Sequence, residues 1–178
     1  MRKVFVLTLV VLAVLAMAVP TSTQTTEKEK SVRFAIEVNF TQSAAEMIAA
    51  GRYQIKEGNV DKFPLDQQGT EIKRMDVELI HIGAAMAHDL VLEEIGRRGC
   101  RPATARELLS FGILYPDEQR KFPIVALGTV QLLDGKNQVA YLWALGKDRR
   151  VGLDDIVTSK TAWHAGVRFL AVPIAAVK

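Results

Sequence analysis

The chain has 178 residues, 49% hydrophobic and 24% charged, with a formal net charge of +3 and one cysteine. This length is enough for one domain with a real core, and a lone Cys100 excludes an intrachain disulfide. Arg2 and Lys3 account for two of the three excess positive charges, so the remainder is near neutral and nucleic acid is not expected as a partner.

The chain opens on Arg2 and Lys3, followed by an uncharged run from Val4 to Val19. Ala16-Met17-Ala18 then places small residues where a signal peptidase reads them, so residues 1–18 are expected to be a signal peptide and the protein secreted or periplasmic. The alternative is an uncleaved membrane anchor over residues 4–19, although that run is short of the roughly 20 residues a full span needs. Residues 19–31, rich in Thr, Ser and charge, read as a flexible linker. Residues 32–178 are expected to form a single domain. Its charge is uneven: residues 19–96 hold 8 Lys/Arg and 13 Asp/Glu, and residues 97–178 hold 13 and 7. Ordinary surfaces, or halves that pack together, explain this more simply than a binding face.

Val32, Phe34, Ile36, Val38 and Phe40 alternate with mostly polar neighbours, the period of a half-buried strand. Ser43 and Glu46 have capping-box spacing and Gly51 suits the far end of a short helix. A second strand is expected in RYQIKEG, a loop over 58–71, and a strand again in KRMDVELIHI. Asp89 is placed to open a helix, DLVLEEIGRRG, that Gly99 ends. CRPA reads as a brief extended bridge, because Pro102 turns Arg101 away from helical dihedrals. Thr104 and Glu107 make a second capping box, and Pro116 stops that helix. RRGCRPATARELL thus reads as the seam between two packed helices. PIVALGTVQLL and QVAYLWAL, joined by DGKN, predict a hairpin. RRVGL follows as a short strand, DDIVTSKTAWHAG as a loop and VRFLAVPI as a closing strand. Mixed strands and helices followed by an antiparallel run define an α+β class.

The stretch from ELIHI through DLVLEEIGRRGCRPATARELLSFG to AWHAGVRFLAV resembles the C-type-lectin-like layout. More closely, MIAAGRY, FPL, RGCRPATARELLSFG, YPDEQRKFPIVALG and RFLAV resemble small uncharacterised proteins of candidate bacterial phyla, over most of residues 32–172. The resemblance implies two helices packed on a mostly antiparallel sheet, with a closing strand beside ELIHI. It brings no established activity. The Glu-Pro-Asn, Gln-Pro-Asp and Trp-Asn-Asp motifs of calcium-dependent sugar binding do not occur, and WHAG stands where the Trp-led motif would fall. The tail VPIAAVK also departs from the group.

Catalytic chemistry finds little support. His81 and His88, on one helix, would stand about 10 Å apart along it, too far to share a zinc bound at about 2 Å from each. His164 lies in a distant loop, and no metal or other cofactor is expected. Ser110 sits inside a helix, not at a nucleophile elbow. Cys100 has arginines nearby to favour a thiolate, but a thiol-dependent enzyme needs a base that no local histidine supplies. Aromatic and cationic residues gather instead on the loop side of the C-terminal sheet: Tyr141, Trp143, Arg149, Arg150, Trp163, His164 and Arg168. Such side chains suit sugar, peptide or anionic ligands, while Tyr141 and Trp143 on one strand face also fit a core. The expectation is therefore an extracytoplasmic, non-enzymatic recognition module, bacterial in its resemblance, for a glycan or protein ligand. Arg149, Arg150, Trp163 and His164 are the expected contacts, with both arginines exposed. A structural or partner-binding envelope protein is the alternative.

Overall fold

The computed structural model describes residues 32–65, 69–156 and 162–174. The expected signal peptide or anchor, the 19–31 linker and the last four residues of the VPIAAVK tail lie outside them. In chain order the elements are β1 (Arg33–Asn39), α1 (Ala44–Gly51), β2 (Ile55–Lys56), β3 (Ile72–His81), β4 (Met86–Ala87), α2 (His88–Arg97), β5 (Cys100–Pro102) and α3 (Ala105–Leu114). There follow α4 (Glu118–Lys121), β6 (Ile124–Val125), β7 (Gln131–Leu133), β8 (Lys136–Leu145), β9 (Asp148–Asp155), β10 (Ala162–Trp163) and β11 (Arg168–Pro173).

The class is α+β with a mostly antiparallel sheet. Its main path runs β1-β3-β11-β6-β8-β9-β2, with β5 on β11 and β7 on β8, and only β11/β6 and β2/β9 are parallel. The closing strand β11 lies antiparallel beside β3, pairing Phe169 with Ile80 and Leu170 with Leu79. Strand alternation sends successive residues to opposite faces, and each face carries its own core. Leu170, Val172, Ala140 and Leu142 join Leu108, Leu109 and Phe111 of α3 and Met47 and Ile48 of α1. Phe169, Ala171 and Val139 join Val91 and Ile95 of α2 and Cys100 on the other side. The sheet is thus the middle layer between α1/α3 and α2.

That arrangement corrects the reading of RRGCRPATARELL as a helix–helix seam. Cys100, Arg101 and Pro102 form strand β5, paired with Pro173, Val172 and Ala171. The helices on either side of it pack on opposite faces, so the segment carries the chain through the sheet layer. Pro102 is tolerated because a short strand at the margin does not need every ladder donor. Both capping boxes form as expected: Ser43 with Glu46, and Thr104 with Glu107. Gly99, at φ 76°, ends α2. Asp89 does not cap α2; Ala87 is the cap residue without a side-chain bond, and Asp89 lies in the first turn. Gly51 is the last helical residue, and Arg52 adopts the left-handed conformation instead. Gly51 is small for a packing reason, since the Tyr53 ring covers the place a Cβ would take.

The C-terminal half is more regular than its sequence reads. RRVGL belongs to an eight-residue strand, β9, paired with β8 along its length. The expected loop 154–166 supplies the end of β9 and the two-residue β10, which pairs with β4; residues 157–161 lie outside the described part. The hairpin turn falls at Asp134-Gly135, both at positive φ.

Candidate ligand-contact surface

Arg149 and Arg150 are neighbours on β9, and the strand period of two splits them between faces. Arg149 turns inward and is 6% exposed, which corrects the expectation that it lies on the surface. Its Nη1 donates to the Gly51 carbonyl at the end of α1, and its Nη2 to the Gly112 carbonyl in α3. Nε and Nη2 also reach Oε1 of Gln119 at 3.2 and 2.9 Å. The guanidinium lies 4.7 Å from the centre of the Tyr53 ring. Gln119 in turn donates to the carbonyls of Trp143 and Arg150. Burial lowers the Arg149 pKa and pushes the Tyr53 phenol up. Carbonyl oxygens and the C-terminal end of the α1 dipole compensate the charge, so Arg149 ties α1, α3 and α4 to the sheet. Four of its five N–H donors are consumed inside the protein, which leaves it unsuited to hold a ligand.

Arg150 faces the other way, opposite Trp143 in register, and Tyr141 stands opposite Gly152. The Tyr141 and Trp143 rings stack at 4.1 Å between centroids and 11° between planes. Gly152 makes room for them: a Cβ there would come within 3.1 Å of the Trp143 ring and 3.0 Å of Glu57. Glu57, just past β2, accepts from Nη1 of Arg150 at 3.1 Å. Arg150 Nε is buried, and no acceptor among the described residues bonds it. Burial first, then the Glu57 and Asp154 carboxylates, push the Tyr141 phenol up to about 12. Tyr141, Trp143 and Arg150 are half-buried. They form an aromatic shelf with a cation and carboxylates at its rim, mounted on rigid strands, on the face that α2 covers at its β5 end. Tyr141 also packs against the α2-side core, so the two roles weighed for it from sequence coexist.

Trp163 and His164 lie elsewhere, at the β4/β10 ribbon. Trp163 pairs with Met86, packs edge-on against Phe169 at 5.9 Å and stands 6.4 Å from His88, so most of its ring serves the core. His164 is exposed, with Nδ1 accepting from the Gly166 amide. The His81 ring bonds the Ala165 carbonyl at 3.1 Å. Cys100, 3% exposed, directs its thiol to the Arg98 carbonyl. Among the described residues, no group of three or more His, Cys, Asp or Glu stands together as a cation site. The four expected contacts therefore divide among three places, and only Arg150 belongs to the shelf. Glu57 was missed because it lies 93 residues from Arg150 in a segment whose own pattern carries no functional signal. No protein-family model matches the chain, and no curated protein or solved structure matches it either.

Proposed function

We propose that the protein is a non-enzymatic recognition module working outside the cytoplasm, C-type-lectin-like in layout and independent of calcium, with the Tyr141/Trp143 shelf as its ligand surface. The observation that carries this reading is the stacked aromatic pair, half-open to solvent beside Arg150. A flat apolar surface with a cation and carboxylates at its rim suits a ligand with ring faces and polar edges. The pairing of β11 beside β3 is the placement implied by the C-type-lectin-like resemblance. Export rests on the N-terminal pattern of charge, apolar run and Ala16-Met17-Ala18.

The test is a glycan and peptide array probed with the exported protein, followed by titration of any hit. Trp143→Ala and Arg150→Gln are expected to weaken a genuine hit by about tenfold or more, about 1.4 kcal/mol, while His164→Ala leaves it unchanged. Hits that survive Trp143→Ala, or an array without hits, would remove the shelf from this role. N-terminal sequencing of the exported chain checks processing after Ala18.

A further inference from the structure

Residues 37–41 read Glu-Val-Asn-Phe-Thr and hold the only Asn-x-Ser/Thr sequence in the chain, since Asn59 and Asn137 are followed by Val-Asp and Gln-Val. In an exported protein Asn-x-Thr, with x other than proline, is the acceptor pattern for N-linked glycans. Glu37 adds the acidic residue two positions ahead that acid-requiring oligosaccharyltransferases read.

The structure divides the two ends of the Asn39 carboxamide. Asn39 is the last residue of β1, a strand at the margin of the sheet, where the chain turns toward α1. Its Oδ1 accepts from the Thr41 amide at 2.9 Å and the Thr41 hydroxyl at 2.7 Å. The oxygen is thus satisfied within the pattern itself. No acceptor among the described residues takes a bond from Nδ2, and Nδ2 is not among the buried unpartnered atoms. It faces water. A glycan on Nδ2 would leave the group an amide, keep both Thr41 bonds and project into solvent without displacing core.

We propose that Asn39 is an N-linked glycosylation site, a reading that rests on export of the chain. The Asn39 amide nitrogen attacks the anomeric carbon of a lipid-pyrophosphate-linked oligosaccharide. The new nitrogen–carbon bond forms as the carbon–oxygen bond to pyrophosphate breaks. The nitrogen gives up one proton and the lipid pyrophosphate leaves with the electron pair. Timing follows from the fold. Val38 is fully buried, Asn39 is paired with Ile72, and the Asn39 carbonyl accepts from Arg106 at 3.0 Å. The enzyme must therefore take the segment as it emerges from the membrane, before β1 joins β3.

The test expresses the full chain with its own N-terminal segment, and in parallel behind an independent export leader, in a host with N-linked machinery. Intact mass is read before and after peptide N-glycosidase in heavy-oxygen water. The expected result is a hexose-containing mass increment that the enzyme removes, leaving Asp labelled at position 39. Asn39→Gln and Thr41→Ala lose the increment and Thr41→Ser keeps it, so the outcome does not depend on whether Asn39→Gln folds. Glu37→Gln loses it only in a host with an acid-requiring transferase. A chain exported by either leader with Asn39 unmodified overturns the proposal and leaves the export reading standing. A chain retained by its own N-terminus but modified behind the other leader supports the acceptor and sinks the export reading.

Discussion

Two arginines with interior side chains hold this protein's helical layer in place. Arg149 meets the last residue of α1, and Arg106, 1% exposed, donates to the Asn39 and Gln42 carbonyls just ahead of the same helix. One short helix is thereby fastened at both ends by guanidinium groups from different elements. Arg149→Met is expected to cost about 1–3 kcal/mol, because it strands buried carbonyl and amide acceptors. Arg149→Lys should recover only part of that, since an ammonium cannot reproduce the planar fork. Urea unfolding checks both, and a midpoint equal to wild type for Arg149→Met would show that the cage contributes nothing net. Glu94 shows the opposite electrostatics, on the surface of α2. Hydrogen bonds from Arg97 and Arg98 at the helix end hold its carboxyl well below the ordinary value of 4.5, at about 2. A depressed folded pKa stabilises above the unfolded value and is lost as pH falls through the folded one. The stability gap between wild type and Glu94→Gln should therefore be constant near neutrality, narrow below pH 4.5 and close near 2. A gap that persisted unchanged to the acid end would contradict the pairing.

At the scale of elements, the joints are more constrained than the elements themselves. Between β5 and α3, Glu107 accepts from the Thr104 amide at 2.8 Å and from both Nη atoms of Arg101, at 3.0 and 2.6 Å. One buried carboxylate caps the helix and anchors the strand before it. Glu107→Ala should cost about 1–3 kcal/mol, the loss of a cap together with an ion pair whose carboxylate is buried and whose guanidinium is partly open to water. Gly128 lies against the same joint, where a Cβ would come within 2.7 Å of the Ala103 carbonyl oxygen and 2.8 Å of that of Pro102. Those atoms are backbone and cannot give way cheaply, so Gly128→Ala is expected to cost about 1–3 kcal/mol. Gly96, the next-to-last residue of α2, meets nothing within 4 Å, and Gly96→Ala should stabilise by a part of the roughly 1 kcal/mol that separates glycine from alanine in a helix interior. Thermal melts of the two variants should move in opposite directions. A shared direction would mean that the close approach at Gly128 relaxes, or that α2 does not hold Gly96 as a regular helical residue. The free margin at β1 is also managed: Tyr115, just past α3, donates to the Ala35 carbonyl at 2.8 Å, occupying an acceptor that a foreign strand would use.

Over the whole molecule, the sheet serves two cores with one set of strands, and that is where reading from sequence alone reached its limit. Local signals that need only neighbouring residues were legible: both capping boxes, Gly99 as the stop of α2, the Asp134-Gly135 turn and the two-sided alternation of β11. Each depends on hydrogen bonds or sterics within a few residues, so the chain states them outright. CRP became a strand only because β11 arrives beside it from 70 residues further on. Its three residues contain no period to read. Arg149 and Arg150 looked alike because charge does not say which face of a strand a side chain takes. Their fates were set by what lies on each side, Gln119 and two helix carbonyls for one and Glu57 with an aromatic stack for the other. The shelf was half legible, as Tyr141 and Trp143 sit two apart on one strand, but Glu57 at its rim comes from 93 residues before Arg150. By itself the sequence determined both capping boxes, the Gly99 stop, the Asp134-Gly135 turn, the mixed α+β order and the position of Asn39 in an acceptor pattern. Tertiary structure decided which face each residue occupies, because burial is a property of what packs against a strand and not of the strand alone.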